Sequence, residues 1–262
     1  MNLKMALKIF RMELASKLTY RGKLLVDVLI MSSKLLVPVL TWASIYKGRE
    51  VFSEYSYSEM LSYVVIANFI GAFFSLNHGS VFANLVKQGR LSFYLLRPTS
   101  LISEFAPRFA ANTTINTLLA VFPAAAFFAA FGIKAPIEMS LPALTVLFAS
   151  WMLAFQFGFL FGILSFWITE MWAVAHLVRS LMVIAGGLWF PLDLLPFGIG
   201  DFLQYSPFAY FGYVNIKALS GGLPSDSYAI HLLVLFIWIG LFALISPLLL
   251  KKGLKRYEAV GI

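Results

Sequence analysis

Residues 141–168 read LPALTVLFASWMLAFQFGFLFGILSFWI, without one charged side chain. A bilayer core about 30 Å thick is crossed by roughly 20 apolar residues at 1.5 Å of helical rise each. This run is therefore long enough to span a membrane and too apolar to be left in water. Further apolar runs cover residues 24–46, 60–76, 109–131, 173–190 and 230–250. Together they predict an all-α integral membrane protein with six transmembrane helices, forming a single membrane domain over residues 1–262.

Composition points the same way. Of 262 residues, 60% are hydrophobic and 12% charged, against about 25% charged in soluble domains. Cysteine is absent, which removes disulfides, thiolate catalysis and cysteine-held metals; no metal site is expected. The net charge of +8 does not mark a nucleic-acid partner, because the basic residues gather at the ends of apolar runs. Such a pattern sets topology. An even number of spans puts Lys4, Lys8, Arg11, Lys17, Arg21, Lys23, Lys87, Arg90, Arg97, Arg108, Arg179, Lys251, Lys252, Lys255 and Arg256 inside, leaving Lys47, Arg49, Lys134 and Lys217 outside. Both termini are expected in the cytoplasm.

At the amino end, Leu3, Leu7, Phe10, Leu14 and Leu18 recur at helical spacing opposite Lys4, Lys8 and Arg11. This predicts an amphipathic helix lying in the interface. A cleavable leader would place an apolar core directly after the basic residues, and none follows Lys8.

Two stretches distinguish the chain from a generic bundle. The first, VFANLVKQGRLSFYLLRP over residues 81–98, is amphipathic, holds a glycine that permits a sharp turn and ends on an Arg-Pro stop. It reads either as a helix held in the headgroups by Lys87, Arg90 and Arg97, or as a lever pushed by a soluble partner. The second runs through FPLDLLP (190–196), QYSPFAY (204–210) and ALSGG (218–222). It is too apolar for an exposed loop and too interrupted by proline and glycine for a full span. A broken, partly inserted hairpin on the outer side fits it best.

The pairing of a cytoplasmic Lys-x-Gly-Arg-Leu-x-x-x-Leu-Leu-Arg-Pro with an outer Phe-Pro-Leu-x-x-Leu-Pro, then Ser-Pro-Phe and Gly-Gly, resembles permeases of type-2 ATP-binding-cassette (ABC) exporters. More narrowly, it resembles the subfamily in which two permeases accompany one ATPase. Ser92 departs from that pattern, which has an acidic residue there. The resemblance implies a half-transporter of the bacterial or archaeal plasma membrane. Its partners would be an ABC ATPase subunit, which alone holds ATP and magnesium, and a second permease, a heterodimer being favoured over a homodimer; membrane lipid surrounds the pair. Within Val81–Arg97 a coupling helix would involve Leu85, Lys87, Gly89, Arg90, Leu91 and Arg97. An outer re-entrant hairpin between spans five and six would gate the exit through Pro191, Pro196, Pro207 and Phe208.

The chain itself lacks the phosphate-cradling Gly-x-x-x-x-Gly-Lys-Ser/Thr pattern: Gly22-Lys23-Leu24 has neither the first glycine nor the hydroxyl. It is expected to bind no cofactor and to catalyse no reaction. Two rival classes are weighed. An intramembrane hydrolase would use His78, His176 and Glu170, but these lie on separate segments without metal-ligand or nucleophile spacing. A secondary transporter or channel-like protein would show repeats or midplane ion pairs, and neither is evident.

Within the spans, Lys34 is the midplane cation. It reads either as snorkelling or as a pathway contact, with Asp27 about 10 Å along the helix axis. Asn112 and Asn116, beside Thr113 and Thr117, and Gln156 add amides that bond neighbouring helices or line a pathway. Gly158 and Gly162 form a Gly-x-x-x-Gly ridge for close helix approach. The apolar and aromatic spans suit an amphiphilic cargo, though lipid-facing surface reads identically.

Overall fold

The computed structural model describes residues 3–48, 51–133 and 136–257 and is all-helical, 77% helix. Arg49 and Lys134, assigned to the outer side above, fall outside the described residues. In chain order the elements are α1 (Leu3–Thr19), α2 (Arg21–Ile45), a hairpin of β1 (Val51–Phe52) and β2 (Tyr55–Ser56), α3 (Tyr57–Phe73), α4 (Asn77–Lys87), α5 (Ser92–Leu95), α6 (Leu101–Phe131), α7 (Leu141–Ile163), α8 (Met171–Ile184), α9 (Ile199–Leu203), α10 (Tyr213–Leu219) and α11 (Ser227–Leu254).

Local chemistry sets the ends. Ser56 and Glu59 form a reciprocal capping box at the start of α3. Ser100 and Ser140 cap α6 and α7 through backbone N–H groups three residues on. Gly132 ends α6 at φ +64°, a conformation that costs glycine nothing.

Among the described residues, five helical runs are long and apolar enough to cross a membrane: α2, α3–α4 taken together, α6, α7 extended to Phe166, and α11. The remaining apolar run, residues 173–190, gives a helix shorter than its sequence suggested. Its helix, α8, has 14 residues, because Gly186 and Gly187 (φ +69°) turn the chain before Phe190. Conversely, α6 starts at Leu101 rather than near Phe109, since the charges of its first turns are paired with each other and with α1.

The segment expected as one amphipathic helix from Val81 is split. α4 begins at Asn77, directly after the second apolar run, buries Phe82, Ala83 and Val86, and ends at Lys87 before a left-handed Gly89. α4 packs on α7, whereas a headgroup helix would lie free of the bundle. The amino-terminal helix also differs from its sequence reading. It docks on α6 through Ala6, Ile9 and Glu13, while Leu3, Leu7 and Leu18 of the apolar stripe stay exposed. That stripe remains available to lipid.

The main core gathers α3, α7, α10 and α11 around residues such as Ile70, Leu153, Val214 and Leu235. A second cluster joins α2 to α3 near Trp42 and Leu61, and a third closes the opposite end around Phe82, Leu91, Phe105 and Phe166.

Candidate functional site

Two constellations stand at opposite ends of the bundle. The first is the turn after α4. Gly89 at φ +68° reverses the chain, and the Leu91 N–H donates to the Leu85 carbonyl at 3.1 Å, closing the helix end. Leu91 is completely buried among Phe82, Val86, Leu101 and Phe105. Burial of such a side chain is worth about 1.5–3 kcal/mol, so Leu91 anchors the turn and offers no contact surface. Ser92, the departure from the resembled pattern, has a local job: its hydroxyl donates to the Gly89 carbonyl at 2.8 Å and its N–H to the Tyr257 hydroxyl at 3.1 Å.

Beyond α5, Arg97 lies over the Tyr94 ring at 4.8 Å and pairs with Glu104 at 3.1 Å. Glu104 is 2% exposed and is also approached by Arg108, which pairs with Glu13 of α1 at 3.0 Å. Lys87 pairs with Glu170 at 3.1 Å, tying the end of α4 to the start of α8. The turn is thus fastened on three sides, while Gln88, Arg90, Phe93, Leu96 and Pro98 face outward. Of the residues expected here, Leu85 and Lys87 end α4, Gly89, Arg90 and Leu91 form the turn, and Arg97 follows α5. Only Arg90 is exposed without an ion-pair partner among the described residues. Glu104 was missed by sequence reasoning; its signal was an acid in an otherwise basic stretch.

The second constellation lies beyond α8. The Tyr213 N–H donates to the Gly186 carbonyl at 2.7 Å, and a methyl group at Gly212 would overlap that same carbonyl. α10 is buried nearly throughout, so this stretch is a packed element and not a loose loop. Asp193 is its hub. One carboxylate oxygen accepts from the Tyr55 hydroxyl at 2.8 Å and the Tyr213 hydroxyl at 3.4 Å, and pairs with Lys217 at 2.9 Å. The Lys217 ammonium also faces the Tyr55 and Tyr213 rings at 5.0 and 5.8 Å. Burial, then the hydrogen bond to Asp193 and its charge, raises the hydroxyl pKa of Tyr55, so it stays protonated as a donor. Three segments distant in sequence meet there.

Of the expected gate residues, Pro191 and Pro196 flank this hub. Phe208 instead reaches inward, edge-on to Phe157 at 5.6 Å, with Pro207 half-buried beside it. The expected pathway residues are not gathered. Lys34 is exposed on α2 with no bonding partner among the described residues, and Asp27 is taken by Lys23 at 2.8 Å. Asn112 bonds its own helix at Arg108, Asn116 is half-buried, and the Gln156 side-chain oxygen is buried without a partner. The Gly-x-x-x-Gly ridge packs against α4, where a methyl at Gly158 would overlap the His78 ring.

No group of three or more His, Cys, Asp or Glu residues able to hold a metal occurs among the described residues. Residues 33–261 match the family described as ABC-2 family transporter protein. A comparison with curated proteins gives no match.

Proposed function

This chain belongs to the ABC-2 family of transporter proteins and is a type-2 ABC permease; from that premise we propose that it forms half of the translocation pathway of an ATP-driven exporter. The observation that carries the reading is the fastened turn at Gly89. A lever needs a rigid base and an outward contact surface, and here Leu91, the Arg97–Glu104 pair and the Lys87–Glu170 pair supply the base. Arg90, Phe93 and Leu96 supply the surface for a separate ATPase, on which ATP and magnesium are held.

In the same reading α8 and the packed stretch through α10 together make the fifth crossing and a re-entrant outer hairpin, giving six crossings with both termini cytoplasmic. Pro191, Pro196, Pro207 and Phe208 then belong to the outer gate, and Lys34, Asn112, Asn116 and Gln156 to the pathway side. The chain catalyses no reaction itself. A second permease, different from this chain, completes the pathway in a bacterial or archaeal plasma membrane, and nucleic acid plays no part.

The test is reconstitution with the partner ATPase. Leu96→Asp and Arg90→Glu alter exposed residues, so insertion and gel-filtration behaviour should be unchanged while coupled transport and permease-dependent ATP hydrolysis fall at least tenfold. If both variants keep coupled transport, while neutralising Lys87 and Arg90 together releases the segment from lipid, the turn is a headgroup anchor and the coupling assignment fails.

A further inference from the structure

α8 carries a flank that its own bundle does not use. At about 100° per residue, its side chains sort into three faces. Met171, Val174, Ala175 and Val178 pack toward Ala83 of α4 and Phe161 of α7. Ala173, Leu177, Leu181 and Ile184 form an exposed apolar face, suited to acyl chains. Between these two lie Trp172, His176, Arg179 and Ser180, all exposed, at spacings of four, three and one residues, with half-buried Val183 closing the stripe at its carboxyl end. A helix that merely faced lipid would have no reason to segregate polar from apolar side chains on its open side.

Arg179 has no ion pair and no hydrogen bond among the described residues. The nearest acid on its own segment, Glu170, is taken by Lys87. Arg179 sits about 13 Å along the helix axis from Glu170, inside the apolar part of the chain. A bare guanidinium there is costly and seeks water, protein or an anion. Side chains on a helix lean toward its amino end, so the guanidinium leans back past His176 and Trp172 toward the Glu170 side. The Trp172 and His176 rings meet edge-on at 6.0 Å, and the Ser180 hydroxyl donates to the His176 carbonyl at 3.1 Å. The stripe holds one cation, Arg179, beside two aromatic rings and a hydroxyl, and contains no acid.

We propose that this stripe is a binding site for the phosphate headgroup of an anionic phospholipid of the cytoplasmic leaflet, with Arg179 as the principal contact and the Leu177–Ile184 face holding its acyl chains. The planar fork of arginine matches a phosphodiester through paired N–H donors, and charge complementarity selects an anionic over a zwitterionic lipid. The site rests on the orientation proposed above, which puts the Glu170 end of α8 at the cytoplasmic surface.

The test needs no ATPase, so its failure leaves the permease reading standing. The full chain is placed in nanodiscs of phosphatidylcholine containing either brominated phosphatidylglycerol or brominated phosphatidylcholine at equal mole fraction. Bromine-quenching of Trp172 is isolated by difference from Trp172→Phe. The brominated anionic lipid should quench as though enriched about fivefold, the effect of one basic contact with an anionic headgroup. Arg179→Gln should abolish the enrichment, and Arg179→Lys should keep only part of it. Because Arg179 is exposed, both variants should match the parent in gel filtration. Equal quenching by the two lipids, enrichment unchanged in Arg179→Gln, or a Trp172 that neither lipid reaches because a second permease covers it, would each overturn the proposal.

Discussion

Replacing Gly158 by alanine tests the helix crossing on which the cytoplasmic turn depends. His78 is 4% exposed, its Nε2–H donates to the Phe155 carbonyl at 3.0 Å, and its ring packs against Phe109 and Phe155 at centroid distances of 4.4 and 5.6 Å. A methyl group at Gly158 would overlap that ring, whereas one at Gly79 would overlap the Gly158 carbonyl oxygen. These differ in what can yield. The overlap at Gly158 costs about 1–3 kcal/mol as overpacking, partly offset by roughly 1 kcal/mol of helix propensity gained over glycine. Removing the ring by His78→Ala costs about 3 kcal/mol through lost contacts and a cavity. In the double variant the new methyl occupies space the ring vacated, so the losses should fall short of additivity by about 1–2 kcal/mol. Gly79→Ala meets backbone, and His78→Ala should not rescue it. At roughly 3 °C per kcal/mol for a chain of this size, fluorescence-detected gel filtration of heated, detergent-purified protein resolves the differences. A strictly additive double variant, or rescue of Gly79→Ala by His78→Ala, would refute the close crossing of α4 and α7.

Leu91→Asp buries a carboxylate in a closed apolar cluster, so it should reduce folded yield severely; a normal elution profile would show that the turn is not anchored as described. The chain lacks cysteine, so single cysteines are specific probes of topology: one at Gln88 should react with impermeant maleimide only in inverted vesicles, and one at Pro224 only in right-side-out cells. Labelling at Pro224 from the cytoplasmic side would rule out the even number of crossings. Asp193→Lys should loosen the outer hub and destabilise the protein by about 1–2 kcal/mol, a discounted value for a pair still partly in contact with water. Adding Lys217→Asp should restore at least half of that loss, and no recovery would mean that the tyrosine contacts alone hold the hub.

The apolar spans were legible because their length and composition are one-dimensional signals. Hydropathy then loses resolution, for a reason specific to membranes: lipid and protein interior are equally apolar, so an apolar stripe does not say which face meets protein. Helix α1 shows this directly, since Leu3, Leu7 and Leu18 define its stripe while Ala6 and Ile9 make the contact. Leu91 shows the converse, an apolar residue in a basic loop that turns out to be the best-buried side chain of its turn. The Gly158–Gly162 ridge announced a close approach but could not name its partner, because steric complementarity with Gly79 and His78 is a property of two segments at once.

Charge retains the information that hydropathy loses. An ionisable group amid apolar sequence must end in a pair, in water or against an anion, so each one poses a question that the fold answers. Glu104 is answered by Arg97 and Arg108, and Asp193 by Lys217 with two tyrosines. Both answers tie sequence-distant or helix-flanking segments at the ends of the bundle, where a permease must be rigid to transmit force or to seal an exit. Lys34 and Arg179 have no answer within the described residues. They sit on open flanks of α2 and α8, so what the chain does not satisfy internally points to the surfaces where lipid, cargo or the second permease proposed above would meet it. A charge-removing pair of replacements, Lys34→Gln and Arg179→Gln, should accordingly leave the thermal stability of the isolated chain within about 0.5 kcal/mol of the parent while changing lipid selectivity or transport. A large loss of stability instead would mean that both cations have partners inside the fold.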